Sequence, residues 1–199
     1  KKKLEVIDMG CGNGVLGISL LKMFKNITRL VFTDISKESL EDCKKNIQIN
    51  NLKKKNSDLI ISNVFQKISI QKFDVIINDI SGISEPVAQI SPWFDRVSCK
   101  SGRNGTNLTI NFLKNYKKYL KKKGKVFFPL ISLSNEKIIF SYLKKNNIKY
   151  KIILEKKWPI PKSMMKHSNF LKKLKSKKYI NFDEQFGLII ANTKIVYLV

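Results

Sequence analysis

The stretch from Glu5 to Gly17, EVIDMGCGNGVLG, constrains the fold of this chain more than any other. Strand-favouring residues run into a loop carrying Gly10, Gly12 and Gly14, and Val15 to Phe24 then reads as a helix with Gly17 inside it. A buried strand that turns through glycines into a helix is the opening unit of a mostly parallel sheet. Ligands of such sheets sit beyond the carboxyl ends of the strands, and glycines let the backbone come close to them.

The alternation continues along the chain. RLVFTD is a second strand, and Ser36 is placed to cap a helix running to about Asn50, with Leu40, Cys43 and Ile47 at helical spacing. DLIISNV and FDVIINDI are further apolar runs of strand length. Leu108 to Leu120 is amphipathic and ends at KKKGK, where Gly124 is expected as a left-handed C-cap before the strand VFFPLIS. Ser134 is expected to cap a helix reaching Lys145, and KYKIILEK is a strand. GLIIANTKIVYLV supplies either one long strand or a hairpin turning at Asn192-Thr193. Only Trp158 to Gln185 stands outside the scheme and reads as an insertion.

Bulk properties narrow the function classes. At 199 residues the chain fits a single domain over 1–199, and its apolar runs are too short to span a bilayer. It opens on KKKLEV without an initiator Met, which points to a missing upstream segment. The formal charge of +24 suggests an acidic partner such as RNA. Yet only Arg29, Arg96 and Arg103 are arginines, so a lysine-rich composition accounts for the charge equally well. Cys11, Cys43 and Cys99 form neither a disulfide framework nor a zinc pattern, which fits a reducing cytoplasm. With His167 as the single histidine, a His pair or a His-rich metal site is excluded by count, and no metal is expected.

The glycine loop itself can be read two ways. From Gly12 it spells G-x-G-x-x-G, a dinucleotide fingerprint; from Asp8 it spells D-x-G-x-G-x-G. A pyrophosphate resting on the helix N-terminus would be repelled by a carboxylate pointing into the same space. Asp8, Asp34 and Asp79 all fall at the carboxyl ends of strands; Asp34 suits either reading, whereas Asp8 and Asp79 suit a cationic ligand better.

VIDMGCGNGVLGI followed by VFTDIS resembles the first two motifs of class I S-adenosylmethionine-dependent methyltransferases, and the likeness extends from Leu4 to about Tyr150. The resemblance implies a Rossmann-like, doubly wound α/β fold, with a mostly parallel seven-stranded sheet and an antiparallel C-terminal strand. It also implies S-adenosylmethionine as cofactor. Asp8, Gly10, Gly12 and Gly14 would wrap its methionine moiety, with Cys11 as a small filler of the loop. Asp34, with Ile35 beside it, would hold the ribose hydroxyls; Asn63 and Val64 would lie by the adenine; Asp79 would lie beside the transferable methyl.

The segment SGRNGTNLTINFLKNYKKYLKKKGKVFF is similar to release-factor glutamine methyltransferases and their small-domain relatives, with Gly102, Asn104, Gly105 and Gly124 corresponding. Those enzymes carry Asn- or Asp-Pro-Pro-aromatic after the fourth strand, where this chain has Asp79-Ile80-Ser81-Gly82. Methyl transfer needs the protein chiefly to align nucleophile and methyl, and Asp79 is the candidate for orienting the nucleophile. Ser81 and Ser84 have no partner base, which argues against covalent catalysis. The expected substrate is macromolecular, RNA or a protein of the translation machinery; the alternatives are a small-molecule enzyme and a non-catalytic binding module. Residues 158–185, with Trp158, Phe170 and Tyr179 among lysines, are the candidate substrate-recognition insertion, although the same apolar residues would equally pack a surplus helix onto the sheet.

Overall fold

The computed structural model describes residues 2–52, 57–80, 82–95, 97 and 99–199. The chain divides into two units: Lys1–Ile80 with Asn111–Phe127, and Ser81–Ile110 with Phe128–Val199.

The first unit holds β1 (Leu4–Met9), α1 (Val15–Met23), β2 (Ile27–Asp34), α2 (Lys37–Ile49), β3 (Ser57–Ile61) and β4 (Phe73–Asn78). Its strands lie in the order β3-β2-β1-β4 and continue to β5 (Leu120–Ile131), each pair parallel. Ser36 caps α2 as expected, accepting the Ser39 N–H at 3.1 Å. Val6, Leu30 and Phe32 pack with Ile18, Leu21, Leu40, Cys43 and Ile47 of α1 and α2. Ile7 and Met9, which alternate with Val6 and Asp8 along β1, are also fully buried, so this strand is covered on both faces. Phe65 stacks on Tyr119 at 4.1 Å between ring centroids and on Phe112 at 5.8 Å.

β5 joins β4 at Phe73↔Leu120 and then at Val75↔Lys125, so three more residues lie on β5 than on β4 between those pairs. The excess is the lysine run. Lys121 turns inward to Asp74 (2.8 Å) and Glu5 (2.7 Å), and Lys2 reaches Asp74 at 2.7 Å. Burial alone would raise the Asp74 carboxyl, but these bonds hold it well below the usual carboxylate range.

The second unit holds α3 (Glu85–Ala88), a 3₁₀ turn at Pro92–Phe94, the first residues of α4 (Asn107–Asn115) and the end of β5. It continues with α5 (Glu136–Lys145), β6 (Tyr150–Pro159), α6 (Lys162–Met165), α7 (Ser168–Ser176), β7 (Asp183–Gln185) and β8 (Leu188–Leu198). β8 neighbours β5 and pairs antiparallel with both β6 and β7. Its core gathers Ile83, Val87, Leu133, Ile160, Met164, Leu171 and Phe182. Ends of the 83–104 segment are tied together: Glu85 and Gly102 exchange backbone and side-chain hydrogen bonds, and the Ser84 hydroxyl donates to the Arg103 carbonyl.

The sheet is thus the expected α/β, mostly parallel arrangement, with eight strands rather than seven. The additional strand, Asp183–Gln185, is three exposed polar residues and carries no hydrophobic signal. Gly124 is not left-handed; α4 stops at Asn115, a 3₁₀ turn covers Tyr116–Tyr119, and Gly124 instead makes room for the Leu120 side chain. Asn135, not Ser134, caps α5, accepting the Ile138 N–H at 3.3 Å. Asn192 and Thr193 do not turn; they pair with Lys157 and Lys156, because β6 runs on through Trp158.

That extension means the 158–185 segment begins inside a strand. Its Met164, Leu171, Leu174, Ile180 and Phe182 are buried in the unit's core. Lys172 pairs with Glu184 at 2.8 Å, while Lys175 donates to the Phe182 carbonyl and lies 4.5 Å from that ring's centroid. Trp158 meets Trp93 edge-on at 5.5 Å and donates to the Thr193 hydroxyl.

Candidate functional site

All ten site residues read from the sequence belong to the first unit, at or just beyond the carboxyl ends of β1, β2, β3 and β4. Each strand ends where its apolar run meets a polar or glycine residue, and the parallel register sets those ends side by side: Asp8 faces Phe32 on one neighbour and Ile77 on the other.

The loop after β1 is shaped by close approach. Gly10, at φ +72°, lies so near Ile80 that a Cβ would come within 2.8 Å of its backbone. Gly17 needs no special φ, but a Cβ there would collide with the Phe32 ring and come within 2.9 Å of Asp8 Oδ2. Gly12, at φ +53°, is different: nothing lies within 4 Å of the place a Cβ would take. The backbone there borders open space, as a cradle for a ligand would.

Asp8 is fully buried beneath this loop. Its Oδ2 accepts the Gly17 N–H at 2.9 Å, whereas its equally buried Oδ1 has no partner among the described residues. Burial, with the charges of Asp79 and Asp34, pushes its carboxyl up to about 7 against the opposing Gly17 hydrogen bond. Asp34 uses both oxygens on backbone: Oδ2 accepts from Gly12 N–H and Oδ1 from Ser36 N–H, each at 2.9 Å. One carboxylate therefore ties the glycine loop to the entry of α2.

Asp79 follows β4, its own N–H bonded to the Met9 carbonyl at 2.7 Å. Partial desolvation pushes its carboxyl up to about 6. Because the side chain is exposed, solvent limits that rise, and Asp8 is the more strongly perturbed of the two. Ile35 is 52 % exposed, an apolar surface next to Asp34. Val64 is buried with φ +51°, a conformation that a β-branched residue adopts only under strain. Ser62 holds the turn at Asn63, its hydroxyl donating to the Val64 carbonyl and accepting the Lys67 N–H. Cys11 is buried against Cys43; hydrogen bonding to that thiol, then burial, then the nearby carboxylates push its thiol up and leave it inert.

Ser81 lies outside the described residues. Four participants escaped the sequence reading: Gly17 as the donor to Asp8, Ser62 as the brace of the Asn63 turn, Cys43 behind Cys11, and Asn78. The Asn78 Oδ1 is buried without a partner among the described residues, one residue before Asp79. Among the described residues no group of three or more His, Cys, Asp or Glu could hold a metal, and no helix is long and apolar enough to cross a membrane.

An unpartnered buried carboxylate oxygen, an open cradle at Gly12 and a surround of carboxylates fit a ligand that brings positive charge, and they disfavour a pyrophosphate. Comparison with known proteins agrees. Residues 1–79 match the model of the methyltransferase small domain family. A putative protein N5-glutamine methyltransferase of Methanocaldococcus jannaschii is 26% identical over 164 residues, covering 82% of this chain and 80% of that protein. The ribosomal RNA small subunit methyltransferase C of Buchnera aphidicola subsp. Baizongia pistaciae is 30% identical over 148 residues, 72% of this chain and 38% of that one. A bifunctional methyltransferase of Rickettsia typhi is 28% identical over 144 residues, and the chain spans only 27% of its length. Among solved structures, the ribosomal protein L11 methylase of Lactobacillus delbrueckii subsp. bulgaricus superposes with a TM-score of 0.56 at 19% identity, over 97% of this chain and 69% of that one. Over residues 1–79 the chain thus matches the methyltransferase small domain, the relatives it resembles are named as methyltransferases, and its fold is the Rossmann-like one of the solved methyltransferase it superposes on.

Proposed function

We propose that the protein transfers a methyl group from S-adenosylmethionine to a macromolecular acceptor. The observation that carries this reading is Asp8: a fully buried carboxylate with one unpartnered oxygen, under a loop whose Gly12 borders open space. Such a group is costly to bury alone and is stabilised by a bound cation. When bound, the cofactor supplies an activated methyl on a sulfonium. The chain's own residues bind and orient. Gly10, Cys11, Gly12 and Gly14 present backbone to the methionine end, with Asp8 beneath as its anionic partner. Asp34 keeps lone pairs for ribose hydroxyls beyond the two it gives to N–H groups. Ile35, Asn63 and Val64 border the adenine, and Asp79 orients the incoming nucleophile.

A macromolecular acceptor is supported by the relatives, whose names assign them protein glutamine and ribosomal RNA. We read residues 158–185 as an element added to the domain: its inner side is core, while Lys162, Lys166, Lys173 and Lys177 remain exposed on its outer side for an acceptor. Calorimetric titration tests the cofactor. Saturable binding of S-adenosylmethionine, with none of NAD, is expected; tight NAD binding without the methyl donor would sink the reading. Transfer of labelled methyl into protein or RNA, rather than into metabolites, tests the acceptor class.

A further inference from the structure

Lysine and arginine outnumber acids 39 to 15 in this chain, and lysines pair with Glu5, Asp42, Asp74, Glu136 and Asp183. At the candidate site the pattern reverses. Among the described residues, no lysine or arginine forms an ion pair with Asp8, Asp34 or Asp79, and the groups that perturb Asp8 and Cys11 electrostatically are carboxylates and a thiol. A surface rich in cations thus keeps them away from these three carboxylates, of which Asp79 and Asp34 stand close enough to Asp8 to raise its carboxyl. Asp34 is satisfied by two N–H groups and Asp8 by one, whereas nothing described donates to the Asp79 carboxylate.

The methyl donor does not balance this charge. It carries a sulfonium and an ammonium against one carboxylate, a single net positive charge facing three acids. Room for one more cation remains, and the open carboxylate is Asp79. Resting on the methyl-donor reading above, we propose that the acceptor is an aliphatic amine of a protein, held as an ammonium ion by Asp79 and methylated after it loses a proton to solvent.

The chemistry of the step favours the same acceptor. The amine lone pair forms the N–CH₃ bond as the C–S bond breaks; sulfur keeps the bonding pair and becomes a neutral thioether, and positive charge passes to nitrogen. A carboxylate beside that nitrogen is stabilising where the charge develops. Alcohol and carboxamide nucleophiles would have to give up a tightly held proton, and the groups facing this site, Asp8, Asp34, Asp79 and the raised thiol of Cys11, offer no strong base. An amine needs none, because its lone pair is free once the ammonium has deprotonated.

The test uses the full chain loaded with the demethylated cofactor, whose binding is measured first by calorimetry; failure there refutes the methyl-donor reading itself. Ligand-observed NMR then compares Nα-acetyl-lysine methylamide with Nα-acetyl-glutamine methylamide. Saturable binding of the lysine probe is expected, weakened at least tenfold in Asp79→Asn, with the glutamine probe much weaker. In parallel, labelled methyl incorporated into protein and RNA fractions of a cell extract is identified after hydrolysis, and N-methylated amines are expected. The proposal is overturned by intact cofactor binding without lysine-probe binding, by lysine-probe binding indifferent to Asp79→Asn, or by label on amide nitrogen, on RNA or on no amine.

Discussion

Replacing Asp8 with asparagine separates what this residue costs the empty protein from what it gives the loaded one. Its carboxyl rises from 3.8 to about 7 in the fold, so the folded state binds that proton more tightly than the unfolded state. At pH 8, above both values, the ionised group destabilises the empty fold by about 4 kcal/mol, taking about 1.4 kcal/mol per unit. The penalty fades as pH falls through 7 and is gone below about 4. Asparagine can still accept the Gly17 N–H, but its buried amide lacks a partner, which costs about 1–3 kcal/mol. Asp8→Asn is therefore expected to stabilise the empty protein at pH 8 by about 1–3 kcal/mol, raising Tm by about 2–12 °C for a chain of this size. Near pH 4.5 the gain should vanish or reverse. Cofactor affinity should drop in the variant, since the anionic partner is lost. In the unsubstituted protein, affinity for the methyl donor should rise between pH 6 and 8 as Asp79 and Asp8 ionise. Thermal unfolding at the two pH values, with and without S-adenosylmethionine, reads all of this. Equal destabilisation by Asp8→Asn at both pH values would refute the argument that a buried, uncompensated charge sits there.

Other substitutions probe the same unit. Gly12→Ala meets nothing within 4 Å, so it should fold with a loss of only about 1–2 kcal/mol for its left-handed φ, yet weaken cofactor binding by filling the cradle; urea unfolding and calorimetry give the two numbers. Gly10→Ala would press a Cβ onto Ile80 backbone at 2.8 Å and should cost about 3 kcal/mol or more in the same unfolding assay. Asp34→Ala should weaken cofactor binding by about 2–4 kcal/mol; unchanged affinity would leave Asp34 with its contacts to Gly12 and Ser36 alone. Lys175→Gln should lower stability by about 1–2 kcal/mol through its lost carbonyl bond and ring contact, as urea unfolding would read.

How much of this was legible in the residues depended on where the signal was local. The β1 loop was, because glycine spacing and the strand before it are written in adjacent residues. Asp34 and Asp79 were, because each ends an apolar run. Asp8 was legible as a strand-end carboxylate, but its bond to the Gly17 N–H and the unpartnered oxygen beside it depend on how the start of α1 packs over β1 and Phe32 of β2, which adjacent residues do not record. Gly124 misled because a glycine after an amphipathic run fits a C-cap; the decisive contact is Lys121 with Asp74, forty-seven residues away in sequence. The hairpin at Asn192-Thr193 was a fair reading of turn-forming residues, and pairing with β6 overrode it. β7 could not be read at all, since Asp183–Gln185 owes its strand geometry to the β8 ladder rather than to its own composition.

The unit boundaries fall inside α4 and inside β5, so neither unit is a continuous stretch of chain. This has a consequence for synthesis. As the chain leaves the ribosome, the four strands that carry the glycine loop and the three aspartates emerge before β5, which flanks β4 and is still some forty residues away. Until it arrives, β4 presents an unpaired edge of apolar residues, a template for wrong partners. A nascent chain stalled between residues 80 and 120 is thus the most aggregation-prone species this protein passes through, and a fragment ending there should be recovered insoluble where one ending after β5 is not.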